Sequence, residues 1–246
     1  MPNDPYLDDS VAWRIKSGNV GFHEPDYREV ADAILDSGLA TEVVQRIGSG
    51  KEADVYFAWD NRRPLAIKAY RLYRTSHRDG GSIKLNSMGH QASREFELLG
   101  YAWSKDARVP EPYRRIENMF SMQYLGDANG PAPLLQHVLL DEPESFLEET
   151  LEAIRVLAAA GIVHSDLSPF NILVHRETPW IIDLASCYRV DRLGRSPWRR
   201  LSEASAALNH GLTALARFFK KYGLRFEVEP FVASILERLD RFGVLT

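Results

Sequence analysis

Apolar residues recur along this chain with two different periods, and the change between them divides it. Over Glu42 to Ile47, Asp54 to Trp59 and Leu65 to Tyr70 the runs are short and rich in β-branched and aromatic residues, as strands are. The linking turns, "GSGKEA" and "DNRRP", are short enough for an antiparallel meander. "YRRIENMFSMQYLG" predicts two further short strands. Elsewhere the period is helical. "PDYREVADAILDSGLA" puts Val30, Ala33 and Ile34 on one stripe, with Asp26 as cap and Gly38 as stop. "QASREFELLGYAWSKD" aligns Phe96, Leu99 and Trp103. Helices are predicted over 133–140 and 144–160, the second with Leu147, Leu151, Ile154 and Leu157 inward. A strand at Trp180 to Ile182 and helices near 202–222 and 229–242 follow.

Strands first and helices later predict an α+β chain of two lobes. A polar tail covers residues 1–25. A small antiparallel-sheet lobe with its preceding helix covers 26–125, and a helical lobe covers 126–246. Within the first lobe, "RTSHRDGGSIKLNSMGH" reads as a basic, mobile loop.

Composition narrows the function classes without choosing one. At 45% apolar and 26% charged residues the chain has an ordinary globular balance. A net charge of −4 gives no global field for nucleic acid or anionic lipid. No apolar run reaches membrane-helix length, and "MPNDPYLDDSVAW" lacks the pattern of a secretory signal. Cys187 is the single cysteine, so no internal disulfide can form. The expected location is cytoplasmic.

The chemistry sits in five places. "IGSGKEADVY" sets Gly48 and Gly50 in a hairpin, where backbone N–H groups can approach phosphates or simply make a turn. Ala53 stands where a kinase glycine loop has its third glycine. "LAIK" places Lys68 on a strand beside apolar neighbours, a costly position unless it meets an anion or reaches solvent at an edge. Glu95, in the following helix, can be that anion; Glu97 points about 160° away around the helix. "GIVHSDLSPFNILV" places Asp166 and Asn171 in a turn between two apolar strands, and "WIIDLAS" ends a strand with Asp183. Asn171 and Asp183 offer oxygen ligands for Mg2+, leaving Asp166 to orient or deprotonate a hydroxyl. Any one of these is an ordinary turn or surface charge. In this order, together, they read as a site for ATP and Mg2+, with Mn2+ as a substitute.

With those residues in place the sequence resembles the protein-kinase-like superfamily, and within it the RIO family of atypical serine/threonine protein kinases. "GSGKEADVY", "LAIKAY", "REFELL", "MQYLG", "GIVHSDLSPFNILV" and "IIDLAS" carry the likeness, over about residues 28–225. The resemblance implies that Lys68 holds ATP phosphates and pairs with Glu95, and that Ser49 and Lys51 lie near the phosphates. It implies that Gln123 and Leu125 offer backbone groups to adenine, that Asp166 is catalytic, and that Asn171 and Asp183 bind metal. RIO proteins can also carry an aspartyl-phosphate, here at Asp183. The fold implied is a two-lobed kinase-like one whose helical lobe lacks an activation loop and a peptide-binding subdomain. Asp183-Leu184-Ala185 stands where typical kinases have Asp-Phe-Gly, and no Ala-Pro-Glu follows.

Two rival functions share this fold or site: a small-molecule phosphotransferase, and an ATP-dependent switch in ribonucleoprotein assembly. The partners implied are ATP, a protein substrate and, through the basic stretch from Arg189 to Arg200, a ribosomal or RNA partner. That stretch contains Arg192, Arg195 and Arg199 with Trp198 among them, and also suits a solvated loop balancing the acidic remainder. Cys187 is read as a packed residue or a redox-sensitive one.

Overall fold

The computed structural model describes residues 26–50, 52–71, 87–190 and 197–240. The N-terminal tail, Lys51, residues 72–86, residues 191–196 and residues 241–246 lie outside them; the predicted basic loop over 74–90 falls mostly there, and its last residues, 87–90, are helix and not loop. Helix α1 (Tyr27–Asp36) starts at a capping box: the Asp26 carboxylate accepts from the N–H groups of Arg28 and Glu29, and Glu29 accepts from the Asp26 N–H at 2.8 Å. It stops at Gly38, whose φ of 69° is cheap for glycine.

Strands β1 (Glu42–Ser49), β2 (Ala53–Asp60), β3 (Arg63–Tyr70), β4 (Pro112–Ile116) and β5 (Met119–Gln123) form one antiparallel sheet in the order β1-β2-β3-β5-β4. Alternation along these strands fills both faces. Tyr56, Ala58, Leu65, Ile67, Ala69 and Met119 form a core with Ile34 of α1 and Leu39 behind it. The opposite parity puts Val55, Lys68 and Phe120 side by side. Helix α2 (Ser87–Trp103) meets that second face, with Phe96 against Phe120 at 5.8 Å between ring centroids.

The chain divides into two compact units. The first contains residues up to Glu97 plus Pro112–Tyr124; the second contains Leu98–Glu111 and Leu125 onward. In the second, helices α3 (Pro143–Ala159), α4 (Pro197–Phe219) and α5 (Val228–Asp240) form the core. Short ladders decorate it: β6 (Gly126–Asp127) with β7 (Gly130–Pro131), β8 (Ile162–Val163) with β11 (Tyr188–Arg189), and β9 (Ile172–His175) with β10 (Thr178–Ile181). Among the described residues no helix is long and apolar enough to cross a membrane.

Three expectations need correction. Of the aligned Phe96, Leu99 and Trp103, Leu99 is buried and Phe96 packs on Phe120, but Trp103 is 46% exposed. Ala92, Glu95, Leu98 and Ala102 are the other buried positions of α2, among them small residues and a carboxylate that a hydrophobic pattern does not weigh. Residues 133–140 are not a helix; they hold one 3-10 turn, Leu135–His137. Their backbone is drawn to β9, where Leu134 bridges Leu173 and the Val174 N–H donates to the Pro133 carbonyl. The basic stretch is not all loop. Tyr188 and Arg189 are strand, and Trp198, Arg199 and Arg200 lie within α4.

Helix α4 passes very close to the turn that carries Asp166. A Cβ placed on Gly211 would stand 2.6 Å from Leu167 Cβ and 2.8 Å from the Leu167 carbonyl oxygen. Glycine to alanine inside an exposed helix gains about 1 kcal/mol. Gly211→Ala is predicted to reverse that sign and destabilise the chain by about 1–3 kcal/mol, measured by urea unfolding.

Candidate functional site

The first unit buries a charge pair against its sheet. Lys68 Nζ lies 2.7 Å from Glu95 Oε1, with the lysine and glutamate side chains 13% and 4% exposed. The Tyr70 hydroxyl donates to the other oxygen, Glu95 Oε2, and Lys68 Nζ sits 5.4 Å from the Tyr70 ring centroid. A buried carboxylate without donors is prohibitively costly; this one has a cation and a phenol. The helix turn that carries Glu95 faces the sheet, while Glu97 is exposed on the other side.

Ser49 closes β1 and begins the glycine hairpin. The turn is tight: the Gly50 N–H donates to the Ala53 carbonyl at 2.9 Å, and a Cβ on Gly50 would lie 3.2 Å from that same oxygen. Ser49 Oγ accepts from Arg71 Nη2 at 2.8 Å. Lys51 lies outside the described residues. Gln123 ends β5 opposite Leu65. The Leu125 carbonyl accepts from the Ala132 N–H at 2.9 Å.

In the second unit Asp166, Asn171 and Asp183 are drawn together mostly by backbone. Asn171 ends a 3-10 turn, Pro169–Asn171, and its Nδ2 donates to the Asp166 carbonyl at 2.6 Å and to Asp166 Oδ2 at 3.3 Å. The Asn171 carbonyl accepts from the Ile182 N–H at 3.0 Å. Buried His164 closes the ring. Its Nδ1 accepts from the Asp166 N–H at 3.2 Å, so its Nε2 carries the proton and donates to the Ile182 carbonyl at 3.0 Å. A hydroxyl pair, Ser165 and Ser186 at 2.6 Å, ties the same two segments again. Asp183 follows Ile182 with φ 64°, a left-handed conformation that aspartate tolerates better than most residues. Asp166 and Asp183 are both exposed.

This donor set fits a hard cation carried in with a phosphate ligand. With Asn171 Nδ2 spent on Asp166, Oδ1 is its remaining ligand atom, and Asp183 adds a carboxylate. Among the described residues there is no cluster of three or more His, Cys, Asp or Glu side chains of the kind that cages a metal. Mg2+ characteristically takes one or two carboxylates and fills its shell with water and substrate phosphates.

Sequence reading did not assign roles to Tyr70, Arg71, Asp54 or His164. A usable signal existed for Asp54. It shares its parity on β2 with buried Tyr56 and Ala58, and a charge in that register needs a partner. Burial pushes the Tyr56 phenol above its usual pKa, with the Asp54 carboxylate adding to the rise and Arg46 and Arg71 opposing it. Of the basic stretch, Arg189 stacks its guanidinium 3.9 Å from the Tyr101 ring centroid.

A family model described as the RIO domain matches residues 54–230. The chain belongs to the RIO family. Among curated RIO proteins it is similar to the RIO-type serine/threonine-protein kinase Rio1 of Haloferax volcanii, 28% identical over 191 residues, covering 72% of this chain and 63% of that protein. It is also similar to Rio1 of Thermoplasma acidophilum, 32% identical over 122 residues, covering 50% and 58%. Human serine/threonine-protein kinase RIO1 is 29% identical over 189 residues, covering 68% of this chain and 33% of that one. The chain thus spans under two thirds of the length of these relatives. Among solved structures, the Rio2 kinase of Chaetomium thermophilum matches with a TM-score of 0.67 at 23% identity, covering 95% of this chain and 80% of that one. Its ADP/Mg2+-phosphoaspartate complex matches with a TM-score of 0.67 at 22% identity, covering 95% and 78%. The RIO chain therefore has the kinase-like α+β fold, with a small antiparallel-sheet unit and a helical unit.

If Tyr70 is a structural donor to Glu95, Tyr70→Phe removes one hydrogen bond to a buried carboxylate and leaves the ring in place. The expected loss is about 1–3 kcal/mol, read by chemical denaturation, with a smaller loss in Glu95→Gln backgrounds, where the acceptor is no longer charged.

Proposed function

We propose that this chain is a RIO-type ATP-dependent phosphotransferase, a serine/threonine kinase or ATPase, that passes the γ-phosphate through an aspartyl-phosphate at Asp183. The observation that carries the reading is the joining of Asp166, Asn171 and Asp183 by His164 and the Ile182 backbone. The RIO membership supports it, as does the phosphoaspartate of the Chaetomium thermophilum Rio2 kinase complex.

In this reading Lys68, held by Glu95, binds phosphate oxygens. Gln123 and Leu125 present backbone groups to adenine, and Ser49 and Lys51 lie along the phosphates. Mg2+, or Mn2+ in its place, is held by Asn171 and Asp183 and offsets the negative charge that a carboxylate meets on approaching a phosphate. An Asp183 oxygen forms the new bond to the γ-phosphorus while the bond from that phosphorus to the β–γ bridging oxygen breaks, releasing ADP. Asp166 orients the hydroxyl, of water or of a protein serine or threonine, that next attacks the acyl-phosphate and accepts its proton. The single buried cysteine accords with a cytoplasmic protein.

The test is incubation of the purified protein with γ-labelled ATP and Mg2+. The protein is expected to take up label, lose it to hydroxylamine, and fail to label as Asp183→Ala. Label that survives hydroxylamine and maps to a serine replaces the acyl-phosphate with plain autophosphorylation. Lys68→Ala is expected to lower turnover by roughly 10²-fold or more, the scale of losing a preorganised electrostatic group; full activity in that variant refutes the assignment. Asp166→Asn should abolish turnover while calorimetry shows ATP affinity within a few-fold of wild type. Transfer of label to a sugar or an aminoglycoside, with none to protein, would establish a small-molecule phosphotransferase instead. Tight ATP binding without turnover would establish a nucleotide-controlled assembly switch.

A further inference from the structure

Arg71 and Asp54 are each 7% exposed, and the pair takes no part in the chemistry above. A guanidinium only donates. Here Arg71 Nε donates to Asp54 Oδ2 at 2.8 Å and Nη2 donates to Asp54 Oδ1, the bidentate fork that fixes orientation as well as charge. The same Nη2 donates to Ser49 Oγ, and the Arg71 backbone N–H donates to the Glu52 carbonyl at 2.7 Å. Residue 71 therefore grips the glycine hairpin at three points: the end of β1 at Ser49, the return at Glu52, and the start of β2 at Asp54.

Such a pair is an uneconomical way to gain stability. Well-packed apolar residues often replace a buried ion pair with no loss. What it provides is geometry. The register of β1 against β2 shifts between Arg46 and Gly48, immediately before Ser49, and bulges of this kind re-aim the side chains that follow. Ser49 is exposed. Because its oxygen accepts from a cation, its own proton is not used in that bond, and accepting from a charged donor strengthens it as a donor in turn.

We infer that the Arg71–Asp54 pair is a positioning device for the hairpin, holding the Ser49 hydroxyl as a hydrogen-bond donor to a phosphate oxygen of the bound nucleotide. This rests on the nucleotide reading of the same site and adds two residues to it. Arg71 and Asp54 act through Ser49 and the hairpin backbone, not by touching the nucleotide.

The experiment measures affinity for ATP and for adenosine by calorimetry, with thermal unfolding alongside. The proteins are the wild-type chain, Ser49→Ala, Ser49→Thr, Arg71→Lys, and the double variant Asp54→Leu with Arg71→Met. Ser49→Ala and the double variant should bind ATP about tenfold more weakly, the worth of one hydrogen bond to a charged group. Their adenosine affinity should match wild type, because adenosine carries no phosphate. Arg71→Lys keeps the charge but loses the fork and should fall with them, whereas Ser49→Thr should retain ATP affinity. Equal weakening of ATP and adenosine would mean a general structural role and overturn the inference. So would unchanged ATP affinity in the folded double variant. If that variant does not fold, Ser49→Ala decides the matter: wild-type ATP affinity in it overturns the inference. A wild-type chain that binds neither ligand removes the nucleotide reading and this one with it. Wild-type binding that the variants leave unaltered removes this one alone.

Discussion

Glu95 is a carboxylate with 3% of its surface exposed, and the first unit is organised around keeping it there. Uncompensated, such a group would neutralise itself or unfold its surroundings. Lys68 and Tyr70 compensate it from alternate positions of β3, so one strand supplies both partners and the pleat spaces them. The consequence is mechanical as much as electrostatic. Helix α2 cannot slide or turn on the sheet without dragging Glu95 away from both donors, and losing one member of a buried pair costs far more than the pair contributes. The lysine ammonium is thereby already ordered; in the function proposed above, that lowers the entropy a phosphate would have to overcome.

The second unit solves the same problem of holding polar groups in place by different means. Asp166 and Asp183 are exposed, so their hydration need not be replaced and no buried ion pair is required. What must be fixed is the backbone beneath them. His164 and Asn171 do this with neutral groups: an imidazole that accepts from one segment and donates to the other, and an amide that reaches back to Asp166. Leu167, between the two acidic positions in the chain, is buried against α4 where glycine allows close approach. The carboxylates are held from below and remain open above.

The five strands of the first sheet, the helices at Tyr27–Asp36 and Pro143–Ala159, and the pairing of Lys68 with Glu95 were legible because each rests on a periodicity or on the cost of a charge among apolar neighbours. Residues 133–140 were misread because helical spacing of apolar residues does not register the competing backbone ladder with β9. Trp103 was misplaced for a related reason. Helical spacing aligned Trp103 with Phe96 and Leu99, whereas the buried positions of α2 include two alanines and a carboxylate, Ala92, Ala102 and Glu95. His164 was hidden by its neighbours: "VHSD" marks a loop, but nothing in four letters says which nitrogen accepts or whose carbonyl lies opposite. Arg71 sits one residue beyond a strand, where a basic residue is usually solvated. Its three contacts on the hairpin depend on long-range register that no local pattern encodes.

Among the described residues, two buried ion pairs of the first unit divide the sheet between them. Lys68–Glu95 occupies the face that meets α2, and Asp54 shares its parity with Tyr56 and Ala58 on the face that meets α1. One pair draws its cation from within β3, at Lys68, and the other from the residue just after it, Arg71, and both anions lie elsewhere in the chain. β3 is central in the sheet, paired with β2 on one side and β5 on the other, so its register is fixed twice over by backbone hydrogen bonds. A slip of one residue would exchange the faces of every side chain on it. That slip would put Lys68 on the α1 side and a small apolar residue opposite Glu95, leaving buried charge unmatched on both faces. The ion pairs therefore make the wrong register expensive rather than the right one unusually stable. This is the specificity that buried charge can supply where an apolar pair could not.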